Sequence, residues 1–137
     1  MNISRKLLSI AFISVILLSV FPSTVAAGNP PTVTLLNPLP AELAVGETYM
    51  LDIRVESDQP FTLTTAQIAP QFPAYVHGNG GDRAQQASTA VLHVPLIGVR
   101  PTAKLPGGAD AIRLVVATRY GGGLVIVNEF NFSVVVR

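Results

Sequence analysis

The chain has 137 residues, nine of them basic and eight acidic, with no cysteine and no tryptophan. That length supports one domain and not two. The composition excludes disulfides, thiolate nucleophiles and thiolate metal sites, and the near-neutral charge leaves no basic face for nucleic acid.

The first segment reads apart from the rest. Arg5 and Lys6 precede an apolar run from Leu7 to Phe21, followed by Pro22-Ser23-Thr24 and the small residues Val25-Ala26-Ala27. This is the layout of a secretory signal peptide over residues 1–27, with cleavage expected after Ala27. The alternative is a retained hydrophobic anchor helix over residues 7–27, close to the length that spans a bilayer. Cleavage removes two basic residues and no acid, which leaves seven against eight and a net charge of −1. Localisation is therefore expected to be exported: periplasmic, cell-surface or secreted. Membrane contact is expected only if the segment is retained.

Residues 28–31 form a proline-bearing linker, and residues 32–137 form the domain. Thr32 to Leu36 predicts a short edge strand, stopped by Asn37-Pro38 and Pro40. Glu42 to Val45 suggests a second short piece on that edge. From Glu47 to Ser57, Tyr49, Leu51, Ile53 and Val55 alternate with Met50, Asp52, Arg54 and Glu56, the pattern of a half-buried strand. Asp58-Gln59-Pro60 predicts a turn that closes it.

A weaker strand follows from Phe61 to Ile68, with Phe61, Leu63 and Thr65 opposed to Thr62, Thr64 and Ala66. Pro70 and Pro73 then break regularity, Ala74 to His77 suggests a short edge strand, and Gly78-Asn79-Gly80-Gly81 predicts a tip. Gln85 to Leu96 returns to strand, with Ala90, Leu92, Val94 and Leu96 on one face. Gly98 to Gly108 predicts a long crossover.

The last stretch organises the whole. Ile112, Leu114, Val116 and Thr118 share one face, and so do Phe130, Phe132, Val134 and Val136, across a Gly121-Gly122-Gly123 tip. Two such runs joined by glycine predict an antiparallel hairpin. Asn128 falls on the inward parity, which suggests a bulge at Asn128-Glu129 that re-aims it. The strand spacing predicts an all-β fold, an immunoglobulin-like Greek-key β-sandwich of about seven strands.

Ala44-Val45-Gly46-Glu47 leading into one alternating strand, and Gly107-Gly108-Ala109-Asp110 leading into another, resemble bacterial immunoglobulin-like and fibronectin-III-like modules of exported proteins. The resemblance implies a spacing, adhesion or docking role with another envelope or extracellular protein as partner.

Catalytic and cofactor chemistry finds no set of residues. Ser57, Ser88 and Ser133 lie in no nucleophile elbow, and Asp52 and Glu56 share one strand face. His77 and His93 lack ligand spacing, even with Asp82 or Glu129 added. Asp58, Asp82 and Asp110 sit in predicted loops that suit calcium oxygens, but each is explained as a turn former. The glycine tips open no helix, so they do not predict phosphate binding. Asn131-Phe132-Ser133 matches an N-glycosylation sequon.

The expectation is a non-enzyme with no metal and no cofactor. Phe130, Phe132 and Tyr49 are assigned to the core, whereas Phe72, Tyr75 and Tyr120 fall in loop or edge segments and are the candidate partner contacts. An exposed aromatic platform would alternatively suit a carbohydrate-binding accessory module, and a retained helix a filament subunit.

Overall fold

The computed structural model describes residues 29–78 and 80–137. Seven strands occur among them: β1 (Thr32–Leu35), β2 (Glu42–Leu43), β3 (Thr48–Ile68), β4 (Val76–His77), β5 (Asp82–Gly98), β6 (Asp110–Arg119) and β7 (Val125–Val136). The signal or anchor segment expected over residues 1–27 lies outside the described residues.

β3 and β5 are long antiparallel partners that bend together, and the bend makes the two leaves of a sandwich. Before it, β3 pairs with β1 on one side and with the second half of β5 on the other. Beyond it, β3 pairs with the first half of β5 and with β6. β7 continues the second leaf beyond β6, and β2 adds to it in parallel. The first leaf is β1–β3–β5–β4 and the second β5–β3–β6–β7–β2.

The bend replaces the turn expected at Asp58-Gln59-Pro60. Instead of ending, the strand continues through these residues with a register shift between Glu56 and Phe61. On the facing strand Gln86 takes a positive φ of 52°. A bulge supplies the extra twist that lets one strand serve both leaves. It also resets the parity: Phe61, Thr64 and Ala66 are buried, whereas Leu63 and Thr65 are half-buried.

The core lies between the leaves. Leu51, Ile53 and Val55 of β3 and Leu92, Val94 and Leu96 of β5 meet Ile112, Leu114 and Val116 of β6 and Phe130, Val134 and Val136 of β7. Each large side chain removed from water contributes about 1.5–3 kcal/mol. With no disulfide, this burial carries the fold. Phe132 and Tyr49 pack against the cluster while half-buried.

Two buried polar features accompany it. Thr64 and Thr118 share a hydroxyl hydrogen bond of 3.0 Å across β3 and β6. Asn128 does not bulge out as expected. β7 pairs with β6 in an unbroken register, with Asn128 opposite Val116, so its side chain stays inward at 2% exposure. Its Oδ1 has no partner among the described residues.

β2 also lies elsewhere than expected. Rather than extending the β1 edge, it crosses to β7, where Val135 N–H donates to Ala41 C=O and Arg137 N–H to Leu43 C=O. Val45 then bridges to Gly98, tying the two leaves at this end. On the opposite side of β7, Thr102 from the 99–109 crossover donates its N–H to Val136 C=O, and its Oγ1 accepts Val136 N–H at 2.9 Å.

Candidate functional site

The end of the sandwich opposite the bend carries the irregular segment between β3 and β4. Its backbone is anchored at both ends. Ala69 N–H donates to Arg113 C=O, and Val99 N–H donates to Tyr75 C=O. Midway, Gln71 Nε2 donates to Asp110 Oδ2 at 3.1 Å. Partial burial raises the Asp110 carboxyl above its ordinary value, against a lowering hydrogen bond from Ala111.

This anchoring holds Phe72 in solvent at 99% exposure, the most exposed large apolar side chain of the described residues. Nearby, the Arg100 guanidinium sits 5.5 Å from the Tyr75 ring centroid, within cation–π range. Phe72 and Tyr75 thus share a short segment, and Arg100 adds a cation that the sequence reading missed. Nothing local in the sequence marks it, because it arrives from the far side of β5.

Beside them lies a cleft of about 360 Å³ lined by Gln67, Ile68, Pro70, Gln71, Ala74 and His77, among others. Glycines set its wall. A Cβ on Gly78 would lie 2.8 Å from Ile68 Cγ1, and one on Gly81 would lie 2.2 Å from Ala66 C=O. Both positions exclude a side chain, so Gly78 and Gly81 pack directly on the end of β3.

Tyr120 is placed differently from the expectation. It lies at the bend, 5% exposed, with its hydroxyl 2.8 Å from Ser57 Oγ. Burial raises its phenol above the ordinary 10.0, countered by the Ser57 bond and reinforced by Asp58. Tyr120 continues the even-numbered inward face of β6, which the glycines after it obscure in the sequence. It is core, not contact.

The candidate metal ligands are dispersed. His77 stands at the cleft, whereas His93 is on the outer face of the first leaf with Nδ1 2.7 Å from Asp52 Oδ1. Asp82 Oδ2 accepts His93 N–H, and its Oδ1 accepts Arg83 N–H. Asp58 accepts from Asn29, and Asp110 from Gln71. Among the described residues no group of three or more His, Cys, Asp or Glu is placed to hold a metal ion. Nor is any helix there long and apolar enough to cross a membrane.

No protein-family model matches the chain, and no curated protein matches it significantly. Solved structures do resemble it at low identity. WR4, a C. elegans MSP family member, is 11% identical over 77% of this chain and 97% of its own, at a TM-score of 0.47. The SrpA adhesin of Streptococcus sanguinis is 17% identical over 82% of this chain and 59% of its own, at 0.44. The E. coli alpha-2-macroglobulin is 13% identical over 77% of this chain, at 0.42. The chain spans only 6% of that macroglobulin. At these scores the likenesses carry no argument about function.

Proposed function

We propose that this chain is an exported, immunoglobulin-like Greek-key sandwich that acts as a non-catalytic binding module toward another envelope or extracellular protein. The strand order supports the fold: β1–β3–β5–β4 faces β3–β6–β7–β2, with a parallel β2–β7 pair. One observation carries the binding reading. Phe72 is held fully in solvent by a doubly anchored segment, three residues before Tyr75, whose ring the Arg100 guanidinium faces. Aromatic side chains and arginine on one short stretch of surface are the composition of an interface hot spot.

The test is partner affinity against fold stability. Cross-linking in the native cells, followed by mass spectrometry, identifies what lies against the 69–78 segment. Phe72→Ala then lowers affinity for that protein at least about tenfold, the cost of losing a hot spot, while the thermal midpoint stays unchanged. Equal affinity in the variant, or a parallel loss of folding, would overturn the assignment.

The cleft favours a second reading, a carbohydrate-binding accessory module. Gln67, Gln71 and His77 line it and offer hydrogen bonds, and Phe72 and Tyr75 belong to the same 69–78 segment. No retardation on a panel of polysaccharides in affinity electrophoresis would remove it. The retained-helix reading, a membrane-anchored or filament subunit, is decided by the intact mass of the native protein.

A further inference from the structure

One motif of the sequence takes no part in the core or in the site around Phe72. Asn131-Phe132-Ser133 has the Asn-x-Ser form that oligosaccharyltransferases modify, and Glu129 stands two residues before the acceptor. The chain's other Asn-x-Ser, Asn2-Ile3-Ser4, falls in the expected leader, outside the described residues, and no residue stands two places before it.

The fold displays this motif as a row. Side chains of a strand alternate between faces, so Glu129, Asn131 and Ser133 of β7 share the outer face of the second leaf. Phe130 and Val134 between and beyond them turn into the core. Asn131 and Ser133 are exposed, and Glu129 is half-buried. The other asparagines of the described residues are committed elsewhere. Asn29 donates to Asp58, Asn37 donates to Met50 C=O and accepts Asp52 N–H, and Asn128 is buried. Asn131 alone is exposed with a carboxamide that makes no hydrogen bond among the described residues.

Its place on the sheet gives the row a task. An open sheet edge is a template for an incoming strand, and proteins blunt such edges with short strands, prolines, bulges or covers. β1 is four residues long with Pro30 and Pro31 before it, and β2 and β4 have two residues each. β7 holds no proline, lysine or bulge, and its register with β6 is unbroken from Val125 to Val134. β2 covers it only at Val135 and Val136. Val135 and Arg137 donate their N–H groups to the β2 side. By the same parity Asn131 turns its N–H and C=O to that side, beyond the end of β2. It therefore bares its backbone at the open edge and its side chain on the adjoining face.

We infer that Asn131 carries an N-linked oligosaccharide, and that this sugar shields the open edge of β7. The donor is an oligosaccharide carried on a lipid diphosphate. Asn131 Nδ2 bonds to the anomeric carbon as the bond from that carbon to the diphosphate oxygen breaks. The lipid diphosphate leaves with the electron pair, and the amide nitrogen gives up one proton. Ser133 supplies the hydroxyl by which the transferase recognises the acceptor, and Glu129 offers a carboxylate to a cationic group of the enzyme. The acceptor points away from the core, so the sugar displaces no packed side chain. The inference rests on the exported reading, because lipid-borne oligosaccharide is transferred to chains that leave the cytosol.

The test uses the native protein from its own cells, separated into cytosolic, membrane and exported fractions. Tryptic peptide 120–137 holds both Asn128 and Asn131. It is expected to carry an added oligosaccharide mass that fragmentation assigns to Asn131. Asn131→Gln and Ser133→Ala are expected to lose that mass, and Ser133→Thr, which keeps the hydroxyl, to retain it. Glu129→Gln is expected to lower occupancy. The 3.6 Å contact of Glu129 with Arg113 faces solvent and contributes little, so this change spares the fold. Without its sugar, Asn131→Gln is expected to shift toward larger species in sedimentation.

An unmodified Asn131 in the exported fraction overturns the inference and leaves export standing. An unmodified chain confined to the cytosol overturns both. Modification that survives Ser133→Ala refutes the sequon as its signal. A glycosylated parent whose Asn131→Gln variant sediments unchanged overturns the shielding role, and unchanged occupancy in Glu129→Gln overturns the role given to that carboxylate. Phe72 enters none of these measurements, so the partner-binding reading stands or falls separately.

Discussion

Gly98 is the position where one atom decides the packing of two leaves. A Cβ there would lie 2.5 Å from Ala44 C=O and 3.2 Å from Val136 Cγ1. The carbonyl is backbone and cannot rotate away. Gly98→Ala is expected to lower the unfolding free energy by about 1–3 kcal/mol, seen as a lower urea midpoint with unchanged slope. An unchanged midpoint would mean that the β2 segment yields. Tyr120 makes a different prediction. Its raised phenol favours the protonated form in the folded chain, so its contribution is complete below the unfolded value near 10.0. That contribution is lost as pH rises through the higher folded value. Tyr120→Phe removes this alkaline term. Its denaturation curve should fall less steeply above pH 10 than that of the parent, at the cost of the Ser57 bond at neutral pH. A parallel fall in both proteins would assign the alkaline loss elsewhere.

Among the elements, the bent β3–β5 pair was the least legible in sequence. Asp58-Gln59-Pro60 has turn chemistry, and no local signal distinguishes a strand that stops from one that bulges and continues. The partner strand decides, because Thr89 opposite Glu56 and Ala87 opposite Phe61 keep the ladder running on both sides of the shift. By contrast, the alternation of β6 and β7 was legible, although the bulge expected at Asn128-Glu129 is absent. Each buries alternate residues along one face, and periodicity reports one-sided burial directly. Asn128 kept its parity although it is polar, which shows the register of a long hairpin outweighing the preference of one side chain. At the bend, Gln86 holds a left-handed φ of 52° that a Cβ disfavours. Gln86→Gly is expected to stabilise by up to about 1 kcal/mol, read as a higher thermal midpoint. A lower midpoint would show that the side chain contributes contacts that outweigh the strain.

For the whole molecule, the candidate site was legible only in part. Phe72 and Tyr75 could be named because prolines around them exclude a long buried strand. Their neighbours Arg100 and Asp110 come from the crossover and from β6, so their proximity depends on how the leaves close. Tyr120 was misplaced for the same reason. The glycines beside it read as a surface tip, yet the bend of β3 brings Ser57 over its hydroxyl.

The parallel pairing of β2 with β7 has a mechanical consequence. β1 leaves the bend end and runs toward the opposite one, where β2 and the last residues of β7 lie side by side. Tension applied between Asn29 and Arg137 therefore pulls β2 and β7 past each other lengthwise. The bonds from Val135 to Ala41, from Arg137 to Leu43 and from Val45 to Arg137 are stretched together rather than one after another. Strands loaded in shear yield at higher force than strands peeled apart. Single-molecule pulling along this axis should show one high rupture peak, and Leu43→Pro, which breaks into the β2 row, should lower it. A peak unmoved by that change would place the resisting element in β1. The domain would then bear load at the β1–β3 pair instead, and in either case the sheet converts a pull into a single threshold event.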